Sequence, residues 1–128
     1  MNKPSVSIIV PVYNVAPFIE RCLKSVMSQT YTGKMECLIV DDCGTDDSIS
    51  ISERMINEFN GDIWFQILHH EQNRGLSAAR NTGTNAAISD YLFYLDSDDE
   101  LTVDCIEKLM KPVQNDSTIE MVMGSYNR

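Results

Sequence analysis

Short apolar runs alternate with segments of helical period along this chain, and that alternation narrows the folds open to it. Val6–Val10 (VSIIV), Met35–Val40 (MECLIV), Ile63–Leu68 and Tyr91–Leu95 (YLFYL) read as strands, with Ile119–Met123 as a last one. After the first run, Phe18, Ile19, Cys22, Leu23 and Val26 recur at helical spacing, and Pro17 suits a first helical turn. A second helix runs from a cap at Asp47 or a neighbour to about Asn60, with Ile49, Ile56 and Phe59 facing inward. The Ala-rich stretch Leu76–Ala87 supplies a third, and Val103, Ile106, Leu109 and Met110 mark a fourth. Pro11 is expected to stop the first strand and Pro112 the last helix. Strands that are apolar throughout are buried on both faces. The pattern therefore predicts an α/β fold, a mostly parallel sheet with helices on both sides.

The 128 residues have room for one domain, and 43% of them are apolar, enough for a real core. Internal repeats, low-complexity tracts and linker-like stretches are absent from the sequence. The run Val6 to Val12 is too brief for a signal peptide or a membrane span, which needs about 20 apolar residues. Cys22, Cys37, Cys43 and Cys105 lack the close spacing of a zinc or redox motif, so a reducing, cytoplasmic setting is expected.

Nineteen Asp and Glu stand against ten Lys and Arg, a net charge of −9. That balance excludes a nucleic-acid or anionic-membrane surface, each of which needs clustered basic residues. The excess is concentrated in two groups: Asp41, Asp42, Asp46 and Asp47, then Asp96, Asp98, Asp99 and Glu100. Without those eight residues the remaining charges nearly balance. Asp41 follows the strand LIV and Asp96 follows YLFYL. Parallel strands would carry both groups to the carboxyl edge of one sheet, where α/β proteins bind their ligands.

Asp96 and Asp98, two residues apart as the chain leaves a strand, can approach one hard divalent cation or the ligand it carries. The same residues also suit a helix cap and a turn, a task that Asp99 or Thr102 could perform. At the other cluster, Asp41 is placed to accept from a ligand's N–H or hydroxyl, Gly44 permits a tight turn, and Asp47 or Ser48 starts a helix. Tyr13 can lay its ring against a planar base, and Asn14 can cap the helix behind it. Arg74 precedes a small-residue helix start that can present a guanidinium and backbone N–H groups to phosphate. Arg80 and Asn81 could pin loops together, and the adjacent His69 and His70 point to opposite sides and are read as structural.

Together the stretches VSIIVPVYN (6–14), ECLIVDDCGTDDS (36–48), NRGLSAARNTG (73–83) and YLDSDD (94–99) resemble glycosyltransferase family 2, inverting enzymes with the GT-A, Rossmann-like fold for nucleotide-sugars. The likeness extends from about residue 5 to about residue 111, with Cys43-Gly44 where a Gly-Ser pair is more usual. It implies that Pro11, Val12 and Tyr13 line a base pocket and that Asp41, beside Asp42, hydrogen-bonds the base, usually uracil. It places Arg74 near the base or phosphates, and makes Asp96-Ser97-Asp98 the Asp-x-Asp motif. Asp96 would then reach the ribose and the metal, with Asp98 a direct ligand of Mg²⁺ or Mn²⁺.

The resemblance implies a nucleotide-sugar donor and a saccharide, lipid or protein acceptor. The acceptor half and the general base are expected beyond Arg128, so the chain is expected to be a truncated, donor-binding part of the fold. Membrane contact, at the inner face, would come only through such further regions. Two other classes compete. A receiver-type phospho-acceptor domain is also small, acidic and α/β, but it carries its Asp pair where this chain has Pro11-Val12-Tyr13. A catalytically empty interaction module would bind neither nucleotide nor metal.

Overall fold

The computed structural model describes residues 3–115. The elements run β1 (Val6–Val12), α1 (Ala16–Met27), β2 (Met35–Asp41), α2 (Ser48–Glu58), β3 (Trp64–His69), α3 (Leu76–Ala86), β4 (Tyr91–Tyr94) and α4 (Cys105–Asn115). The expected strand Ile119–Met123 lies outside the described residues.

The four strands form one parallel sheet in the order β3-β2-β1-β4. Successive strands step outward from β1 to β3, and the chain then crosses to the other side of β1. That reversal is a topological switch point, the place where open α/β sheets bind ligands. The order also separates the chain from the receiver class, whose flavodoxin-like sheet puts β1 between β2 and β3.

Burial follows position in the sheet. Every residue of β1 is buried, and so is β2 up to Asp41, because helices cover both faces of these central strands. One face carries Ile8, Val10, Cys37 and Ile39 against Ile19, Leu23 and Val26 of α1, Met55 of α2 and Ile106 and Met110 of α4. Each fully buried Ile or Leu there contributes roughly 1.5–3 kcal/mol. The other face is covered by α3, which packs close: a Cβ on Gly83 would lie 2.5 Å from Ile9 Cγ2. Edge strands β3 and β4 alternate between exposed and half-buried positions, and Trp64 on β3 is 67% exposed. The apolar letters of the edge strands thus overstate their cover.

Both prolines expected to end an element lie inside one. Pro11 pairs with Val40 within β1. Ile9 O accepts from Leu95 N on the β4 side, so Pro11, two residues on, faces that side where the pairing has already ended at Ile9 and Tyr94. Its missing N–H costs nothing there. Pro112 lies within α4, its ring exposed. The carbonyl it leaves without an amide partner belongs to the exposed Lys108, so the helix continues. The helix begins at Cys105, six residues after Asp99, which is therefore not its cap.

One buried carboxylate ties the sheet to a turn. Glu36, in the middle of β2, accepts from Ser7 Oγ of β1 and, at 2.8 Å, from Ile88 N, tying the turn after α3 to the sheet.

Candidate functional site

Register places the two acidic groups on either side of β1. Val12 pairs with Asp41 on one flank, while β4 on the other delivers the loop that starts at Leu95. Between them opens a cleft of about 450 Å³ lined by Pro11, Val12, Tyr13, Val15, Asp42, Asn73, Gly75, Leu76, Ala79, Asp96, Ser97 and Asp98. It lies at the β1/β4 switch point. Tyr13, 49% exposed, offers its ring at one wall.

After β4 the chain makes a tight turn in which Asp99 N donates to Asp96 O at 3.0 Å. The turn gathers one carboxylate oxygen from each of Asp96, Asp98 and Asp99 within 4.8 Å of one another. All three are hard anionic oxygens, the donor set that suits Mg²⁺ or Mn²⁺ and leaves room for water and phosphate oxygens. Asp99, expected only as a cap, thus joins the pair read from the sequence. Beneath the turn Cys22 of α1 is inert. Burial, then the charges of Asp99, Asp98 and Asp96, push its thiol up to about 12. From α3, Arg80 Nη2 donates to Asp96 Oδ1 at 3.1 Å.

At the other cluster the strand pleat divides neighbouring carboxylates between two tasks. Asp42 turns inward and accepts four hydrogen bonds: His70 Nδ1 at 2.7 Å and Arg74 N at 2.8 Å on one oxygen, Asn73 Nδ2 and Gly75 N, each at 2.9 Å, on the other. His70 Nδ1 carries the proton, because a carboxylate only accepts. Burial works to raise the Asp42 carboxyl, but the Arg74 amide, the His70 ring and the Gly75 amide outweigh it and hold it below the usual carboxylate range. Asp42 is therefore the anchor of the loop before α3. Its oxygens have these donors already, although its residue borders the cleft.

That anchoring narrows what the α3 start can offer. The amides of Arg74 and Gly75 are taken by Asp42 and are not presented to a phosphate. The Arg74 residue is exposed and, like Asp41, is not among those lining the cleft. Asp41 sits at the rim, one oxygen accepting from Cys43 N at 3.1 Å and the other paired with His69 Nδ1 at 2.8 Å. The His69 side chain is 57% exposed and that of His70 only 4%, on opposite sides as expected. Sequence reasoning found the two histidines without their partners. The signal was the β2/β3 register, which sets Asp41 beside His69.

The loop between the clusters also differs from expectation. Asn14, with φ 52°, does not cap α1; its Oδ1 accepts from Thr45 N and Asp46 N at 2.7 and 3.2 Å. The α1 start is held instead by Asp46, which takes Ala16 N at 2.9 Å, and by Ser48 Oγ, which takes Val15 N at 2.8 Å. Asp46 also accepts Ser48 N at 3.0 Å, so one carboxylate serves two helix starts. Burial tends to raise its carboxyl, but donors from Ser48 and Ala16 bring it below the usual range. The left-handed residue here is Cys43, with φ 61°, rather than Gly44. Gly44 answers to space: a Cβ there would lie 2.7 Å from Asn14 Oδ1.

Comparison with known proteins decides the family. Residues 7–126 match the sequence profile described as glycosyl transferase family 2. The chain belongs to glycosyl transferase family 2. Glycosyltransferase GlyA of Streptococcus pneumoniae is 39% identical over 122 residues, which are 94% of this chain and 16% of that protein. Glycosyltransferase GlyG of the same organism is 32% identical over 121 residues, 94% of this chain and 38% of the relative. Among solved structures, Staphylococcus aureus TarS in complex with UDP-GlcNAc superposes with a TM-score of 0.79 at 26% identity, over 87% of this chain and 31% of TarS. The mannosyltransferase PcManGT of Pyrobaculum calidifontis, in complex with GDP-Man and Mn²⁺, gives 0.72 at 29%, over 79% of this chain and 29% of its own. The fold is thus that of the GT-A transferases, and the chain spans well under half the length of these relatives.

Proposed function

We propose that this member of family 2 is the donor-binding part of a glycosyltransferase that takes a sugar from a nucleoside diphosphate and passes it, with inversion, to an acceptor hydroxyl. The observation that carries the reading is the cleft itself, which brings Tyr13 and the Asp96–Asp98 turn into one lining at the β1/β4 switch point. An acidic cleft accepts a diphosphate through a bridging cation. Asp98 and Asp96 would hold Mg²⁺ or Mn²⁺, and the cation would stabilise charge on the departing diphosphate as a Lewis acid. Pro11, Val12 and Tyr13 would bound the base, Asp41 at the rim would accept from it, and Ser97 with Asp96 would meet the ribose side. Arg74, between the cleft-lining Asn73 and Gly75, keeps a role toward base or phosphate only through its side chain.

UDP-GlcNAc in TarS and GDP-Man with Mn²⁺ in the mannosyltransferase support the donor class and the cation. Uridine is proposed as the base on the likeness to TarS with UDP-GlcNAc. Asp41, braced by His69 Nδ1, offers an acceptor to the imide N–H of uracil, a donor adenine lacks. The general base that deprotonates the acceptor is assigned to residues outside those described, and the acceptor is a saccharide, lipid or protein hydroxyl. The proposed setting is the cytoplasm, where the four free cysteines persist as thiols, with any contact to the inner membrane face made by other regions. Titration with uridine, guanosine and adenosine diphosphates in the presence of Mn²⁺ tests the reading. A uridine preference of about tenfold, one hydrogen bond's worth, is expected. A preference for guanosine would overturn the base assignment, and absence of binding to all three would overturn the donor reading.

A further inference from the structure

Arg80 reaches the carboxylate turn from α3, an element held rigidly against β1 by the close approach of Gly83 to Ile9. Its guanidinium carbon lies 6.0 Å from the centre of the Tyr94 ring, whose hydroxyl is 2.7 Å from Thr84 Oγ1. Thr84 Oγ1 in turn donates to Arg80 O at 2.8 Å. The guanidinium thus lies over the Tyr94 ring and beside Asp96 at once. The side chains of Arg80 and Asp96 are 40% and 30% exposed, so the pair is screened only in part. Arg80 Nε is buried without a hydrogen-bond partner, so the position is costly to fill with arginine. A fixed positive charge one hydrogen bond from a metal-ligand carboxylate opposes a free dication and favours an anionic diphosphate.

Resting on the donor reading above, we infer that Arg80 is a positioning residue that balances the charge of the Asp96–Asp98–Asp99 turn. It makes the site a poor trap for a free divalent cation and a good one for a cation that arrives on a diphosphate. The two ligands respond oppositely to that charge, which separates this role from a merely structural one. Loss of the charge tightens free Mn²⁺ and weakens metal-free UDP, whereas structural damage weakens both.

The test measures Mn²⁺ alone, by the electron paramagnetic resonance signal of the unbound ion, and UDP in excess chelator, by calorimetry. Arg80→Gln is expected to bind Mn²⁺ roughly tenfold more tightly than the parent and UDP several-fold more weakly. Arg80→Met, which keeps an unbranched apolar stem and removes the buried Nε, is expected to do the same. It serves where Gln perturbs folding. Arg80→Lys keeps the charge and stays within about twofold of the parent for Mn²⁺. Free Mn²⁺ bound equally or more weakly by both neutral variants would overturn the inference alone, provided the parent binds UDP with Mn²⁺. A parent that binds neither would overturn the donor reading and this inference with it.

Discussion

Replacing Asp42 by Asn keeps its shape but turns one acceptor oxygen into a donor. Whichever oxygen is lost, two N–H groups face an amide: His70 Nδ1 and Arg74 N on one side, or Asn73 Nδ2 and Gly75 N on the other. Asn73 and Arg74 are exposed residues, so water replaces much of what they lose. The amide turns its oxygen to one side only. Either the half-buried Gly75 N or His70 Nδ1, its side chain 4% exposed, is then left facing an NH₂ group where water substitutes poorly. Leaving one buried donor unmet costs about 1–3 kcal/mol, and weakening the charge-assisted bonds that remain adds about 1 more. The expected loss is about 3 kcal/mol, or roughly 10 °C in Tm for a domain of this size.

The pH dependence of that difference has a fixed sign. The Asp42 carboxyl is held below its usual value in the folded chain, so its contribution is complete above the unfolded carboxyl value near 3.9 and is lost as the pH falls through the folded one. The Asp42→Asn variant lacks this acid-sensitive contribution. Parent and variant should therefore differ most at pH 6–7 and converge below about pH 4. Thermal unfolding followed by circular dichroism across that range is the assay. A variant within 2 °C of the parent at pH 7, or a gap that persists undiminished to pH 3, would refute the anchoring role.

Two further outcomes test the packing. Intrinsic propensity alone would have Gly83→Ala stabilise α3 by about 1 kcal/mol. The 2.5 Å approach to Ile9 predicts the opposite sign, a loss of about 1–3 kcal/mol in urea unfolding, and a gain would show that α3 does not lie that close. Iodoacetamide at pH 8 should label the exposed Cys43 and spare Cys22, whose thiol is pushed up to about 12, and Cys37, which burial also raises. Mass spectrometry showing Cys22 modified at a comparable rate would contradict the burial of α1 against the carboxylate turn.

How far the site could be read in advance depended on the range of the interaction. The central strands were legible because both faces of Ile8, Val10, Leu38 and Ile39 meet apolar neighbours, which leaves an unbroken apolar run. The Asp96–Asp98 pair was legible because two carboxylates two residues apart need only a local turn to approach. The division between Asp41 and Asp42 was less so. Both follow an apolar strand, and only the partners His69 and His70, on a strand whose neighbour is set by the sheet order, distinguish rim from anchor. Asn14 reads as a helix cap by type, yet Asp46, some thirty residues later, takes that task and leaves Asn14 to hold the loop. Pro11 and Pro112 read as stops because the sequence does not reveal that one faces a finished strand and the other the outside of a helix. Arg80 reads by type as a loop pin, and only the packing of α3 sets it beside Asp96.

The most direct test of the account is calorimetric titration of the protein with UDP in Mn²⁺ and, separately, in excess chelator, for the parent and for Asp98→Asn. The cleft is acidic and a diphosphate is anionic, so the parent is predicted to bind at least about tenfold more tightly with the cation than without it. Asp98→Asn should lose most of that difference, with metal-free binding tightened several-fold by the loss of one negative charge. Equal affinity with and without Mn²⁺ in the parent, or a metal dependence that survives in Asp98→Asn, would contradict it.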